Sequence, residues 1–210
     1  MNRCLFGAVL TLAACTRLIG QSPQGWKIRV DHSASPSDPD AAGDIKFTTE
    51  GAGFHAINPQ AAVYWNPANS VSGNYALRGT FTLLKPSGHT NYYGLVFGGS
   101  DLEGAQQSYT YFLVAQNGTW LIKRRDGDAT NNVARTASDA VKKPDSSGKS
   151  TNTLEVRVGV DKTDFLVNGE VVHSETKSGA VAKTDGVYGI RVNHLLDVQV
   201  DGFGLTHSPA

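Results

Sequence analysis

Short stretches of strictly alternating apolar and polar side chains recur along this chain, and no long stretch carries a helical period. Trp26-Lys27-Ile28-Arg29-Val30 and Leu154-Glu155-Val156-Arg157-Val158 alternate over five residues, and Val198-Gln199-Val200 repeats the pattern. A period of two gives a strand one buried face and one wet face, the signature of antiparallel sheet. Two Asn-Gly pairs, Asn117-Gly118 and Asn168-Gly169, divide such runs at hairpin spacing. Asn-Gly accepts the positive φ angles of a type I′ turn, whose twist matches the flanking strands. Asp126-Gly127 and Asp185-Gly186 mark further turns.

The runs predict about a dozen strands, a count that suits two packed sheets. Besides the three stretches above, they fall at Asp44–Thr49, Gly53–Ile57, Ala62–Trp65, Tyr75–Leu84, Tyr92–Phe97, Tyr109–Gln116, Thr119–Arg125, Phe165–Val167, Glu170–His173 and Val187–Asn193. Ala129–Ser150 is polar and reads as a long surface loop with one helical turn near Ser138–Val141. Residues beyond Leu205 read as a frayed tail. The expected fold is all-β: a two-sheet antiparallel β-sandwich of the jelly-roll kind.

The N-terminus reads differently. Arg3 precedes an apolar run from Cys4 to Ala14 that ends in small residues, the form of a secretory leader. The run is too short for a spanning helix, which needs about 20 residues. Leu12-Ala13-Ala14-Cys15 resembles the lipobox of bacterial lipoproteins, in which the cysteine becomes the first mature residue and carries the lipid. The resemblance implies a leader at residues 1–14, a lipidated N-terminus and spacer at 15–24, and a sandwich domain at 25–207. Ordinary cleavage near Gly20-Gln21-Ser22 is the alternative, although Arg17 would interrupt its apolar segment. Either way the domain is expected outside the cytoplasm, with any membrane attachment made through the N-terminal lipid. Cys4 and Cys15 are the only cysteines, so the sandwich has no disulfide and must rest on its core. Lys plus Arg and Asp plus Glu each number 19, and losing Arg3 leaves acids in slight excess. That argues against nucleic-acid binding, which needs a basic surplus to displace counterions. Lys123-Arg124-Arg125 reads as a solvated strand end.

The order of segments resembles the concanavalin A-like lectin/glucanase superfamily. Gly73–Phe81 and Tyr93–Gly99 look like successive early strands of that sandwich, and Tyr109–Val114 with its Asn117-Gly118 hairpin looks like the central pair. Asn152-Thr153-Leu154-Glu155-Val156 and Val167-Asn168-Gly169 look like the N-x-L-x-V … V-N-G end segment of laminin-G-like members, and Gly189–Asn193 precedes the last strand. The chain is also similar to exported bacterial domains of the 3-keto-disaccharide hydrolase kind. The resemblance implies carbohydrate as partner, and structural calcium as a cofactor the family often holds.

The residues themselves give the chemistry less sharply. Family 16 endoglucanases on this fold carry E-x-D-x-x-E on one strand, which turns carboxylates to one face as nucleophile and acid. The nearest approach here is Asp101-Leu102-Glu103, in a loop after Gly98-Gly99-Ser100. Asp38, Asp40 and Asp44 offer carboxylates in one turn, the presentation calcium prefers. His32, His55, His89, His173, His194 and His207 form no H-x-H or H-x-x-x-H pair, which leaves zinc unsupported, and no G-x-S-x-G is present for a serine triad. Aromatics are the stronger signal. Tyr92, Tyr93, Tyr109, Tyr111 and Trp120 gather in neighbouring segments, and sugar rings stack on aromatic faces beside polar partners. Tyr109 and Tyr111 share parity and project from one face. The expected ligand site comprises His55, Tyr93, Tyr109, Tyr111, Arg191 and Asn193, with His89, Asn91 and Arg125 as neighbouring donors. The expected function is non-catalytic carbohydrate recognition of an oligo- or polysaccharide. The alternatives are a glycoside hydrolase-like enzyme acting on keto-disaccharides or glucans, and a structural or protein-interaction module of the cell envelope.

Overall fold

The structure, a computed structural model, describes residues 23–207. The expected leader, and the lipidation expected at Cys15, lie outside them. Fourteen strands follow in chain order: β1 Lys27–Asp31, β2 Lys46–Glu50, β3 Gly53–Asn58, β4 Ala61–Val71, β5 Tyr75–Lys85, β6 Tyr92–Ser100, β7 Ser108–Ala115, β8 Thr119–Asp126, β9 Ala129–Ala137, β10 Ser150–Val158, β11 Lys162–Val167, β12 Glu170–Thr176, β13 Gly186–Val192 and β14 Leu196–His207. No helix occurs among the described residues. The strands form two seven-stranded sheets, ordered β1-β4-β13-β6-β7-β8-β9 and β12-β11-β10-β5-β14-β3-β2. Neighbours pair antiparallel throughout. The fold is therefore the two-sheet antiparallel sandwich expected.

Alternation builds the core. β5 buries Tyr75, Leu77, Phe81 and Leu83 against the facing sheet, and β10 adds Leu154, Val156 and Val158. The first sheet answers with Tyr64, Tyr93, Leu95, Phe97, Phe112 and Ile190. Aromatic rings cross the gap: Phe112 meets Phe165 edge-on at 5.2 Å, and Phe47 stacks on Tyr64 at 4.2 Å. Such pairs add to area burial at about 0.5–1.5 kcal/mol each.

The two Asn-Gly hairpins close differently. Asn168 and Gly169 both hold positive φ, 51° and 87°, and Val167 pairs with Glu170, so this is the type I′ turn expected. At the other, only Gly118 has positive φ, 87°, and its amide donates to Ala115 O at 3.1 Å. Gln116, Asn117 and Gly118 thus make a three-residue loop, a type I turn with a glycine bulge. Asn117 Oδ1 holds it by accepting from the Thr119 amide at 3.1 Å.

Three expectations need correction. Ala129–Ala137 is a strand, not a loop, and Ser138–Val141 is a turn closed by Val141 N on Ser138 O. β9 is an edge strand exposed along most of its length, so it carries no apolar alternation to read. Strand β4 runs past Trp65 to Val71 because Asn66–Asn69 bulge opposite Tyr188, which accommodates Pro67 without a ladder bond. The last strand reaches His207, bent by a register shift between Asp201 and Gly204.

Candidate functional site

Burial singles out one face. In an ordinary sandwich strand the outer residues are wet, as in β5, where Arg78 is exposed and Thr80 and Thr82 are partly so. Strand β7 is buried at all eight positions. Its inner residues face the core, and Tyr109, Tyr111, Leu113 and Ala115 belong to a second apolar cluster on the outer face of the first sheet. Val63, Trp65, Tyr92, Val96, Leu102 and Leu121 complete it. The loop after β6 folds over part of this face. Arg29 Nη1 pins it by donating to Leu102 O at 3.2 Å and Gly104 O at 2.9 Å.

Beyond that loop the face opens into a cavity of about 360 Å³. Tyr109 and Tyr111, rings 5.7 Å apart, form its floor. The hairpin register sets Arg125 opposite Tyr109 and Lys123 opposite Tyr111. Arg191 enters from β13, where it pairs with Val63 on one side and Gly94 on the other. Its guanidinium lies 5.3 Å above the Tyr111 ring, donates to Tyr109 Oη at 3.2 Å, and is ion-paired to Asp31. Arg135 sits 5.6 Å over the Tyr92 ring. Asn91 and Asn193 complete the wall, and Asn193 Oδ1 is sheltered without a protein partner. A buried acceptor of that kind costs about 1–3 kcal/mol unless something donates to it.

The electrostatics follow from burial. Burial pushes the Tyr109 and Tyr111 hydroxyls above the ordinary tyrosine value. It works against the Arg191 charge, but Tyr109, Asp31 and Tyr111 outweigh it and keep the guanidinium protonated. Lys123 is held below the usual lysine value by burial first, then by Arg135 and Arg191. The cavity wall carries Lys123, Arg125, Arg135 and Arg191 with Asp38, while Asp31 behind it pairs with Arg191 and Asp128 lies 3.8 Å from Arg125.

Of the expected site residues, Tyr109, Tyr111, Arg191 and Asn193 come together here, with Asn91 and Arg125 beside them. Tyr93 does not. It pairs with Val114 in β7, and both point into the inter-sheet core. His55 does not either. It lies on the outer face of the second sheet, held by Asp197 at 2.6 Å and Glu50 at 3.3 Å. Trp120 is in the core, 5.6 Å from His173. The Lys123-Arg124-Arg125 run is not a solvated end: parity sends Lys123 and Arg125 into the cavity and Arg124 inward. There Arg124 bonds Thr110 Oγ1 at 3.1 Å, Ser108 Oγ and Asp126. Lys123 and Arg135 are site residues the sequence reading missed. The hairpin register, which sets Lys123 beside Tyr111, is the signal that locates the first of them.

The carboxylates expected for calcium are not gathered. Asp40 accepts from the Ser33 amide at 3.0 Å and contacts His32 at 3.3 Å and His194 at 3.0 Å. Asp44 is exposed, and no group of potential metal ligands among the described residues includes it. Asp38 instead meets His89 and His194. Asp101 and Glu103 are spent on structure, the first accepting from Gln106 N at 2.9 Å and the second ion-paired to Lys27.

No known family model and no curated protein matches the chain. Solved structures do. The chain is similar to the carbohydrate binding module CBM66 from Bacillus subtilis, at 13% identity and a TM-score of 0.61, covering 88% of this chain and 96% of that one. It is similar to a Bacillus subtilis protein of unknown function with a galectin-like fold, at 12% identity and a TM-score of 0.59, covering 87% and 89%. It is also similar to the carbohydrate recognition domain of Emp46p, at 10% identity and a TM-score of 0.58, covering 89% of each. At such identities the likeness establishes the fold alone, the two-sheet antiparallel jelly-roll sandwich.

Proposed function

We propose that the domain binds a carbohydrate in the cavity on the outer face of the first sheet, and that it favours glycans bearing carboxylate or sulfate groups. The observation that carries this reading is the cavity itself: an aromatic floor of Tyr109 and Tyr111 under four cations and two amides. Amides and guanidinium groups hydrogen-bond hydroxyls, and guanidinium groups also grip anionic oxygens in pairs. The unpartnered Asn193 Oδ1 supplies an acceptor for a hydroxyl donor. CBM66 and the Emp46p domain are named for carbohydrate binding, which supports the same reading.

The hydrolase reading, including the resemblance to 3-keto-disaccharide hydrolase domains, lacks a comparable observation. A glycosidase needs two carboxylates flanking the bond. Here Asp31 is held by Arg191 and Asp40 by two histidines. The reading therefore keeps recognition without catalysis. It also keeps the domain outside the cytoplasm, on the strength of the leader and Cys15.

A glycan array probed with the purified domain tests the proposal. Acidic glycans are expected to bind, with affinity falling as salt rises. Retention of neutral glycans alone would remove the role of the cations, and retention of none would remove the proposal.

A further inference from the structure

At the rim of the cavity, three segments far apart in sequence bring three metal-ligating atoms together. Asp38 Oδ1 lies 2.7 Å from His89 Nε2 and 3.2 Å from His194 Nε2. The two imidazole nitrogens are 3.2 Å apart. An ion held by imidazole and carboxylate at about 2.0–2.2 Å sets neighbouring ligand atoms roughly 3.0–3.4 Å from one another. The observed triangle is close to that size. His194 is buried, its side chain 7% exposed, and its other nitrogen, Nδ1, faces Asp40 Oδ1 at 3.0 Å. A carboxylate on Nδ1 holds the proton there and leaves the Nε2 lone pair toward the triangle, the usual support for a metal-ligating histidine. The rings of His89 and His194 lie at 90° to each other, and the Nε2 atoms of both converge on Asp38 Oδ1. Asn91 Nδ2 also reaches His89 Nε2, at 3.0 Å, and would turn aside when an ion binds.

From this geometry we infer that Asp38, His89 and His194 form a binding site for a divalent transition-metal ion of the zinc class. Two imidazoles and one carboxylate suit such ions, whereas calcium seeks six to eight oxygens. Asp40 is a positioning residue that orients His194. The ion ties the segment carrying Asp38 to the loops carrying His89 and His194, and so fixes one wall of the cavity. Asp38 itself lines that cavity. The inference stands on the ligand geometry and is independent of what the cavity binds.

The test uses untagged protein stripped with chelator and then titrated with Zn²⁺ alone, followed by calorimetry and thermal melting. One equivalent is expected to bind and to raise the melting temperature. His89→Gln and Asp38→Asn, both at partly exposed positions, are expected to melt like wild type in chelator and to lose the Zn²⁺-dependent rise. Asp40→Asn is expected to weaken Zn²⁺ binding by about 10–100-fold, as loss of such supporting contacts does. Ca²⁺ at the same concentration is expected to produce no rise. Absence of Zn²⁺ binding to the stripped wild type would overturn the inference. So would binding unchanged in both His89→Gln and Asp38→Asn, or a Ca²⁺ response lost in Asp38→Asn.

Discussion

The two outer faces of this sandwich are built to different standards. On the second sheet, β5 and β10 carry Thr80 against Thr153 and Thr82 against Thr151, with hydroxyls 2.9 Å and 3.0 Å apart. Arg157 there pairs with its neighbour Glu155 at 2.6 Å. A hollow as large as the site cavity lies on this face, but no aromatic side chain lines it. Such a surface satisfies a sheet exposed to water and asks for nothing else. On the first sheet, tyrosines and an arginine are buried on the side facing away from the core. Desolvating those polar groups costs free energy that folding alone does not require. The first sheet's outer face thus carries the buried aromatic and charged groups on which the proposed recognition rests, and the second's carries solvated pairs.

Truncation should expose the contrast most strongly. Tyr109→Ala is expected to lower stability by about 3–5 kcal/mol, like a core aromatic, despite its place on an outer face. Thr82→Ala, on the opposite outer face, is expected to cost within about 1 kcal/mol. Denaturant titration of the two variants measures the difference, and equal midpoints would erase the comparison. Next comes the turn that closes β11 and β12. Gly169→Val is expected to cost about 1–3 kcal/mol, because a β-branched residue resists a φ of 87° and no neighbour crowds the new side chain. Its affinity for ligand should stay that of wild type, since the turn belongs to the second sheet. A glycan affinity that falls with it would join the two faces that the comparison separates.

Much of this architecture was legible from the chain. Both residues of Asn168-Gly169 hold the positive φ that the pair predicts, and the shared parity of Tyr109 and Tyr111 puts them on one face. Parity does not carry between strands, however. Tyr92 and Tyr93 are adjacent, and only the pairing of Tyr93 with Val114 decides that Tyr93 turns inward. His55 alternates correctly within its own strand, but nothing in that alternation states which sheet the strand joins. Edge strand β9 lacked an apolar face to announce it. His89 and His194 show no metal-ligand spacing because 105 residues separate them, and only the closure of the first sheet brings their loops together.

Charge sharpens the comparison at smaller energies. Arg125→Ala is expected to weaken binding of an acidic glycan about tenfold and to cost about 1 kcal/mol of stability through its lost bonds to Gly127 O and Thr130 Oγ1. Calorimetry on this variant and on Arg78→Ala, across the molecule, should show loss only in the first. Burial and its cationic neighbours hold Lys123 below the ordinary lysine value of 10.5, so Lys123 loses its charge earlier as pH rises. Affinity for an acidic glycan should therefore decline on the alkaline side before an ordinary lysine would titrate. That decline should be missing in Lys123→Met.

The most direct measurement is amide chemical-shift mapping of the labelled domain during titration with an acidic glycan that the array identifies. A binding site on the outer face of the first sheet puts the largest shifts at Asn91, Lys123, Arg125, Arg191 and Asn193. Shifts centred on Arg78, Thr153 and Glu155, on the outer face of the second, would contradict it.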